Sequence, residues 1–183
     1  MSRFVFEETT LLLVWWYPGT WKSFLSDKIL DTYCITYIDK DSVDDVFSLT
    51  RTDDHYKNHK KYVWDIIYNA ILIPNISRWN SILLDSPLSS AYLGNLERIE
   101  YIKDMSKKYN FKIKMIWCKA SLETREKRLK MRDHPRDQER YHELKEFVAR
   151  EKTFDIPFDH IIFDTEWDNI GKVYDFLKWE KIL

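Results

Sequence analysis

The sequence predicts an α/β fold built on a five-stranded parallel sheet, and three observations point to it. Short apolar runs alternate with segments of helical periodicity along the chain. The first run, Leu11 to Trp15, is continuously apolar, as a strand buried on both faces must be. Acidic residues follow directly on the ends of several runs, where such folds gather their ligands.

The elements follow in order. Leu11 to Trp15 is the first strand, and Pro18-Gly19 marks a tight turn after it. Phe24, Leu25, Ile29 and Leu30 recur at helical spacing, so Lys22 to Leu30 is a helix. Tyr33 to Ile38 is a β-type run ending in Asp39-Lys40-Asp41, and a helix is expected over 42–49. Tyr62 to Ile73 is amphipathic and helical, with Pro74 expected to end it. Ser81 to Leu84 is a strand that stops at Asp85, followed by Ser86-Pro87. Leu93 to Tyr109 reads as a helix and Lys112 to Cys118 as a strand. Residues 121–150 form a long charged helical region interrupted near His134-Pro135. His160 to Phe163 is the last strand, and Ile170 to Ile182 closes the chain as a helix.

Bulk properties narrow the class. At 183 residues one domain is the default, with length enough for a full core. A charged fraction of 32% beside 16% aromatics argues against disorder. The formal net charge of −1 implies no broad basic surface, which makes long nucleic acid an unexpected partner. Cys34 and Cys118 both lie in apolar runs and read as buried free thiols of a reducing compartment. No stretch has the length and apolarity of a membrane span, and MSRFVFEETT lacks a signal-peptide core, so a cytoplasmic protein is expected. No metal-ligand cluster stands out.

Leu11 to Ser23, LLLVWWYPGTWKS, carries the chemistry. Strand, tight turn, Lys22-Ser23 and helix follow one another as in a phosphate-binding loop, G-x-x-x-x-G-K-[ST]. In such a loop successive backbone N–H groups wrap a phosphate closely, and the helix N-terminus adds positive potential. Lys22 would bridge the β- and γ-phosphates, and the Ser23 hydroxyl would hold Mg²⁺. The motif asks for glycine at 16 and 21, and the chain has Trp16 and Trp21 there. A plain strand-to-helix turn with an incidental Lys-Ser is the competing reading of this stretch.

With YPGTWKS at 17–23, DKD at 39–41, ILLDSPL at 82–88 and SLETREKRLKMRDHPRD at 121–137, the chain resembles the P-loop kinase-like ATPases. That family includes polynucleotide kinase, zeta toxins, chloramphenicol phosphotransferase and small proteins labelled AAA-type ATP-binding. The resemblance runs from Leu11 to Thr165. It implies a three-layer P-loop NTPase sandwich with a helical lid in 121–150, and a nucleotide site over Trp16, Tyr17, Pro18, Gly19, Thr20, Trp21, Lys22 and Ser23. It implies ATP and Mg²⁺ as cofactors, with Ser23 and Asp85 at the metal. It makes Asp41 the general base on an acceptor hydroxyl, and Arg128, Arg132 and Arg136 lid arginines over the phosphates. Each residue has a plainer reading. Asp39 and Asp41 could cap the next helix, Asp85 could be a turn residue, and the arginines could line a solvated, salt-bridged face.

The function expected is transfer of the γ-phosphate of Mg-ATP to an acceptor hydroxyl, on a small molecule, nucleotide or nucleic-acid end. An inactive binding or regulatory protein and a simple ATPase are the alternatives. Trp16, Trp21 and Trp79 stand where the family favours glycine. The chain holds only three glycines, where average composition gives about thirteen, and eight tryptophans. Three explanations stand open: UGA codons that the source reads as glycine, a pseudo-enzyme, or a site plugged by Trp21. Trp117, inside a strand, suits its place as tryptophan. Tyr56, Tyr62, Trp64 and Tyr68, at helical spacing, read as core before they read as a substrate wall.

Overall fold

The computed structural model describes residues 3–16, 18–47, 62–86, 96–132, 144–146, 156–177 and 181–182. Its elements, in chain order, are β1 (Phe4–Val5), β2 (Thr10–Trp16), α1 (Lys22–Thr32), β3 (Thr36–Asp39) and α2 (Lys40–Phe47). Then come a helical stretch α3 (62–76), β4 (Ile82–Asp85), α4 (Leu96–Tyr109) and β5 (Lys112–Lys119). The last are α5 (Leu122–Arg132), β6 (Asp159–Asp164), α6 (Gly171–Leu177) and β7 (Lys181–Ile182).

Five strands form one parallel sheet in the order β3-β4-β2-β5-β6. The apolar run of β2 is therefore central, with hydrogen-bonded neighbours on both sides. Its residues alternate between two cores. Leu11, Leu13 and Trp15 face one, with Ile67, Leu72, Ile99 and Ile102 of α3 and α4. Leu12 and Val14 face the other, with Leu25 and Ile29 of α1 and Val173 and Leu177 of α6. Two helical layers thus cover a sheet whose inner strands lie out of water, and this is why β2 is apolar at every position from Leu11 to Trp15.

The structure corrects several expectations. Pro74 does not end α3. The helix is π-helical over Ile66–Leu72 and continues as an α-turn over Ile73–Ile76, with Pro74 at its start. A proline in a fresh first turn has no N–H to place, so it costs the ladder little there. The C-terminal helix is described over Gly171–Leu177 and does not run to Ile182: Lys181–Ile182 pair antiparallel with Phe4–Val5. Tyr33 belongs to no sheet strand; it forms an isolated bridge with Phe4, and β3 begins at Thr36. Cys118 is buried but Cys34 is exposed, and both thiols are free. Trp64 and Tyr68 stack on each other in the core, whereas Tyr62 is exposed. Tyr17, Tyr56, Arg136 and most of 133–150 lie outside the described residues. Among the described residues no helix is long and apolar enough to cross a membrane.

Candidate functional site

All five parallel strands deliver their carboxyl ends to one edge of the sheet. From β2 the chain passes to β3 on one side, returns through β4, and crosses to β5 on the other side. The strand order therefore reverses beside β2, and a ligand crevice opens at such a point. The turn after β2 sits there.

Gly19 is the tightest point of that turn. Its φ is +83°, and a Cβ on it would lie 2.8 Å from the Arg125 carbonyl oxygen. Only glycine meets both conditions. Trp21, the N-cap of α1, also has left-handed backbone, with φ 56° and ψ 39°, and its side chain makes no capping bond. The first turn of α1 carries no acidic residue, so its N-terminal field is left to attract an anion.

Lys22 points back toward the sheet. Its Nζ is 2.7 Å from Asp85 Oδ1, with the lysine side chain 10% exposed and the aspartate fully buried. Ser26 Oγ donates to Asp85 Oδ2 at 3.3 Å, and the Tyr37 hydroxyl donates to the same oxygen at 3.2 Å. A buried carboxylate needs such compensation. Burial, then the negative charges of Asp85 and Asp39, pushes the Tyr37 hydroxyl well above its ordinary pKa, so it stays a protonated donor. Burial, with Asp85 next, also pushes up the Cys118 thiol, which makes it an inert packing group.

Asp39 and Asp85 are register partners at the ends of β3 and β4. Asp39 is the cap: Oδ1 accepts from the Asp41 N–H at 3.0 Å, and Oδ2 from the Ser42 hydroxyl at 2.8 Å. Asp41 lies one step into α2, its side chain 20% exposed and 3.9 Å from Lys40 Nζ.

The other wall is α5, whose backbone touches the turn at Gly19. Arg125 is completely buried, and its Nε donates to the Pro18 carbonyl at 3.2 Å. Arg128 donates to the Gly19 carbonyl at 3.3 Å and to Thr165 Oγ1 at 2.7 Å, and its guanidinium lies 4.5 Å from the Trp21 ring centroid. Burial lowers the Arg128 pKa, while Glu166 and Asp164 oppose that. Glu166 accepts from the Ser121 N–H and from the Ser121 and Thr124 hydroxyls, so it fastens the start of α5 to the end of β6. Those bonds, the Ser121 N–H foremost, hold its carboxyl below the ordinary range.

A cavity of about 520 Å³ lies between the turn and α5, lined by Gly19, Thr20, Trp21, Lys22, Ser23, Arg128 and Arg132 among others. The structure thus brings together five loop residues and two of the three expected arginines. Asp41 and Asp85 do not line this cavity. Lys22 does, and it is paired with Asp85 behind it. Ser26 rather than Ser23 is hydrogen-bonded to Asp85; Ser23 is exposed in the cavity wall. Of Trp16 the structure describes the backbone, at the end of β2.

Sequence reasoning missed Ser26, Tyr37 and Arg125. Ser26 lies four residues past Lys22, on the same helical face, which is a usable signal. Arg125 precedes Leu129 by one turn and so shares the apolar stripe of α5, which marks it for burial. Tyr37 carries no such mark in a run of alternating residues.

The whole fold has solved counterparts. A candidate kinase from Chloroflexus aurantiacus is similar with a TM-score of 0.68 at 17% identity, over 94% of this chain and 98% of that one. Shikimate kinase from Bacteroides thetaiotaomicron has a TM-score of 0.56 at 12% identity, over 93% and 98%. Deoxyadenosine kinase from M. mycoides, solved with bound dATP, has 0.50 at 17%, over 91% and 98%. The chain has the P-loop kinase fold. No family model matches the sequence, and no curated protein is similar to it in sequence. Within the P-loop kinase fold, the turn after β2 and the buried Lys22–Asp85 pair sit at the crevice where the sheet order reverses.

Proposed function

We propose that the chain is an ATP-dependent phosphotransferase that moves the γ-phosphoryl group of Mg-ATP to an acceptor hydroxyl. The observation that carries this reading is the convergence of Lys22, Arg128 and Arg132 on one cavity at the mouth of a glycine turn. Three cations around a helix N-terminus suit the oxygens of a polyphosphate.

In this reading the loop amides and Lys22 take the β- and γ-phosphate oxygens. Arg128 and Arg132 pair with the oxygens that gain charge during transfer. Asp41 accepts the proton of the acceptor hydroxyl as its oxygen bonds to phosphorus and the bond to the bridging oxygen of ADP breaks. Ser23 in the cavity wall would offer Mg²⁺ its hydroxyl oxygen, and Asp85 would join it only by giving up Lys22, since its oxygens hold Lys22, Ser26 and Tyr37 and it does not line the cavity. When bound, the ion neutralises phosphate charge. Residues 121–150 form the lid that keeps water from the phosphates, with Arg136 reaching the nucleotide. A small molecule, a nucleotide or a nucleic-acid end fits a chain of net charge −1 better than a long nucleic acid. A single domain of the cytoplasm suits two free cysteines.

The indole of Trp21 in the cavity wall favours the second reading, an inactive nucleotide-fold binding protein. One assay separates the readings. The W16G/W21G protein is incubated with γ-labelled Mg-ATP and pooled nucleosides, sugars and oligonucleotides. Label on an acceptor is the expected result. Label released only as free phosphate makes the protein an ATPase, and no release makes it a binding module.

A further inference from the structure

Among the described residues, three that are not glycine have left-handed backbone: Trp21 at φ 56°, Trp79 at φ 64° and Asn110 at φ 51°. Asparagine tolerates that region because its short side chain bonds locally; for a bulky residue it is a genuine outlier. Both outlying positions are tryptophan, and both side chains are exposed, Trp21 at 56%, beside Arg128 in the cavity wall, and Trp79 at 77%. Neither indole is fixed by core packing that would offset the strain. Trp117 behaves in the opposite way: it is 4% exposed, lies in β5 and packs on Trp15 at 4.9 Å.

The two strained positions do different jobs. Trp21 closes the turn before α1, as an N-cap with left-handed backbone and no side-chain capping bond. Trp79 closes the turn after Ile73–Ile76, its N–H donating to the Ile76 carbonyl at 2.9 Å. A residue that closes a helix with left-handed backbone is usually glycine. Two unrelated turns therefore need the residue that the chain is short of, and carry the one it has in surplus, three glycines against eight tryptophans.

We infer that positions 21 and 79 are glycine in the functioning protein, encoded by UGA codons that the source organism reads as glycine. Position 16 joins them through the loop spacing alone, and for that position the inference rests on the phosphate-loop reading. At 21 and 79 it rests on backbone geometry and holds whether or not the protein transfers phosphate. With glycine at 16 and 21 the loop reads GYPGTGKS, and the indole leaves the cavity wall beside Arg128.

The deciding measurement is peptide mass analysis of the protein purified from its source. Glycine at 21 and 79 with tryptophan at 117 is the expected result, and tryptophan at 21 or 79 overturns the inference. A second measurement tests its physical basis in the recombinant chain. Trp21→Gly and Trp79→Gly are each expected to raise the Tm by roughly 2–4 °C, and Trp21→Ala and Trp79→Ala to recover less. Alanine matching glycine would show that loss of an exposed indole, not release of backbone strain, is responsible, and would overturn the backbone argument. Glycine at both positions in a protein that never binds ATP leaves this inference standing and removes the proposed phosphotransfer.

Discussion

Asp85→Ala is expected to lower the stability of the fold by about 3–5 kcal/mol, the usual cost of removing one partner of a buried ion pair. The aspartate is fully buried at the end of a central strand, and the Lys22 side chain is 10% exposed. Truncation strips the ammonium of this counter-charge and takes the acceptor from the Ser26 and Tyr37 hydroxyls. Urea unfolding reads the effect as a lower midpoint at unchanged slope. Asp85→Asn keeps an acceptor for both hydroxyls and should lose less. A change under about 1 kcal/mol for Asp85→Ala would mean that Lys22 reaches water readily and that the pair does not anchor the loop.

Asp41→Asn is expected to lower phosphotransfer by about 10²–10⁴-fold with little change in stability or nucleotide affinity. The reason is the division of labour between two neighbouring carboxylates. Asp39 already holds the Asp41 N–H and the Ser42 hydroxyl, so the start of α2 is capped without Asp41. An amide at 41 keeps the shape and loses the basicity. The measurement is single-turnover transfer to the acceptor found by label transfer, in the W16G/W21G protein. Full turnover by the asparagine variant would remove Asp41 as the base.

Much of this arrangement is legible in the sequence because buried parallel strands must be apolar at every position. Leu11 to Trp15 cannot alternate, since Leu12 and Val14 serve one core while Leu11, Leu13 and Trp15 serve the other. The strand ends are legible for the same reason: Asp39 and Asp85 break apolar runs abruptly. Other features leave weaker traces. Two-residue strands such as Phe4–Val5 and Lys181–Ile182 are too short to show a period. The π-helical segment Ile66–Leu72 shifts the register of α3, so Pro74 falls in a new first turn instead of closing the old one. Arg125 reads as part of a solvated charged face until its place one turn before Leu129 is noticed; the structure buries it against Pro18. The loop itself is legible through its matches, and the tryptophans stand out against them. Gly19 satisfies the turn, Lys22 and Ser23 satisfy the helix start, and Trp21 occupies a backbone that suits glycine.

The crevice beside β2 is proposed as a nucleotide site whose loop is completed by glycine at 16 and 21. Equilibrium titration with Mg-ATP, run on the chain with both tryptophans and on the W16G/W21G protein, tests it most directly. Micromolar binding by the glycine protein is expected, with binding weaker by at least about tenfold in the tryptophan chain, a difference of about 1.4 kcal/mol or more. Equal micromolar binding by the tryptophan chain, or no binding by either, would contradict it.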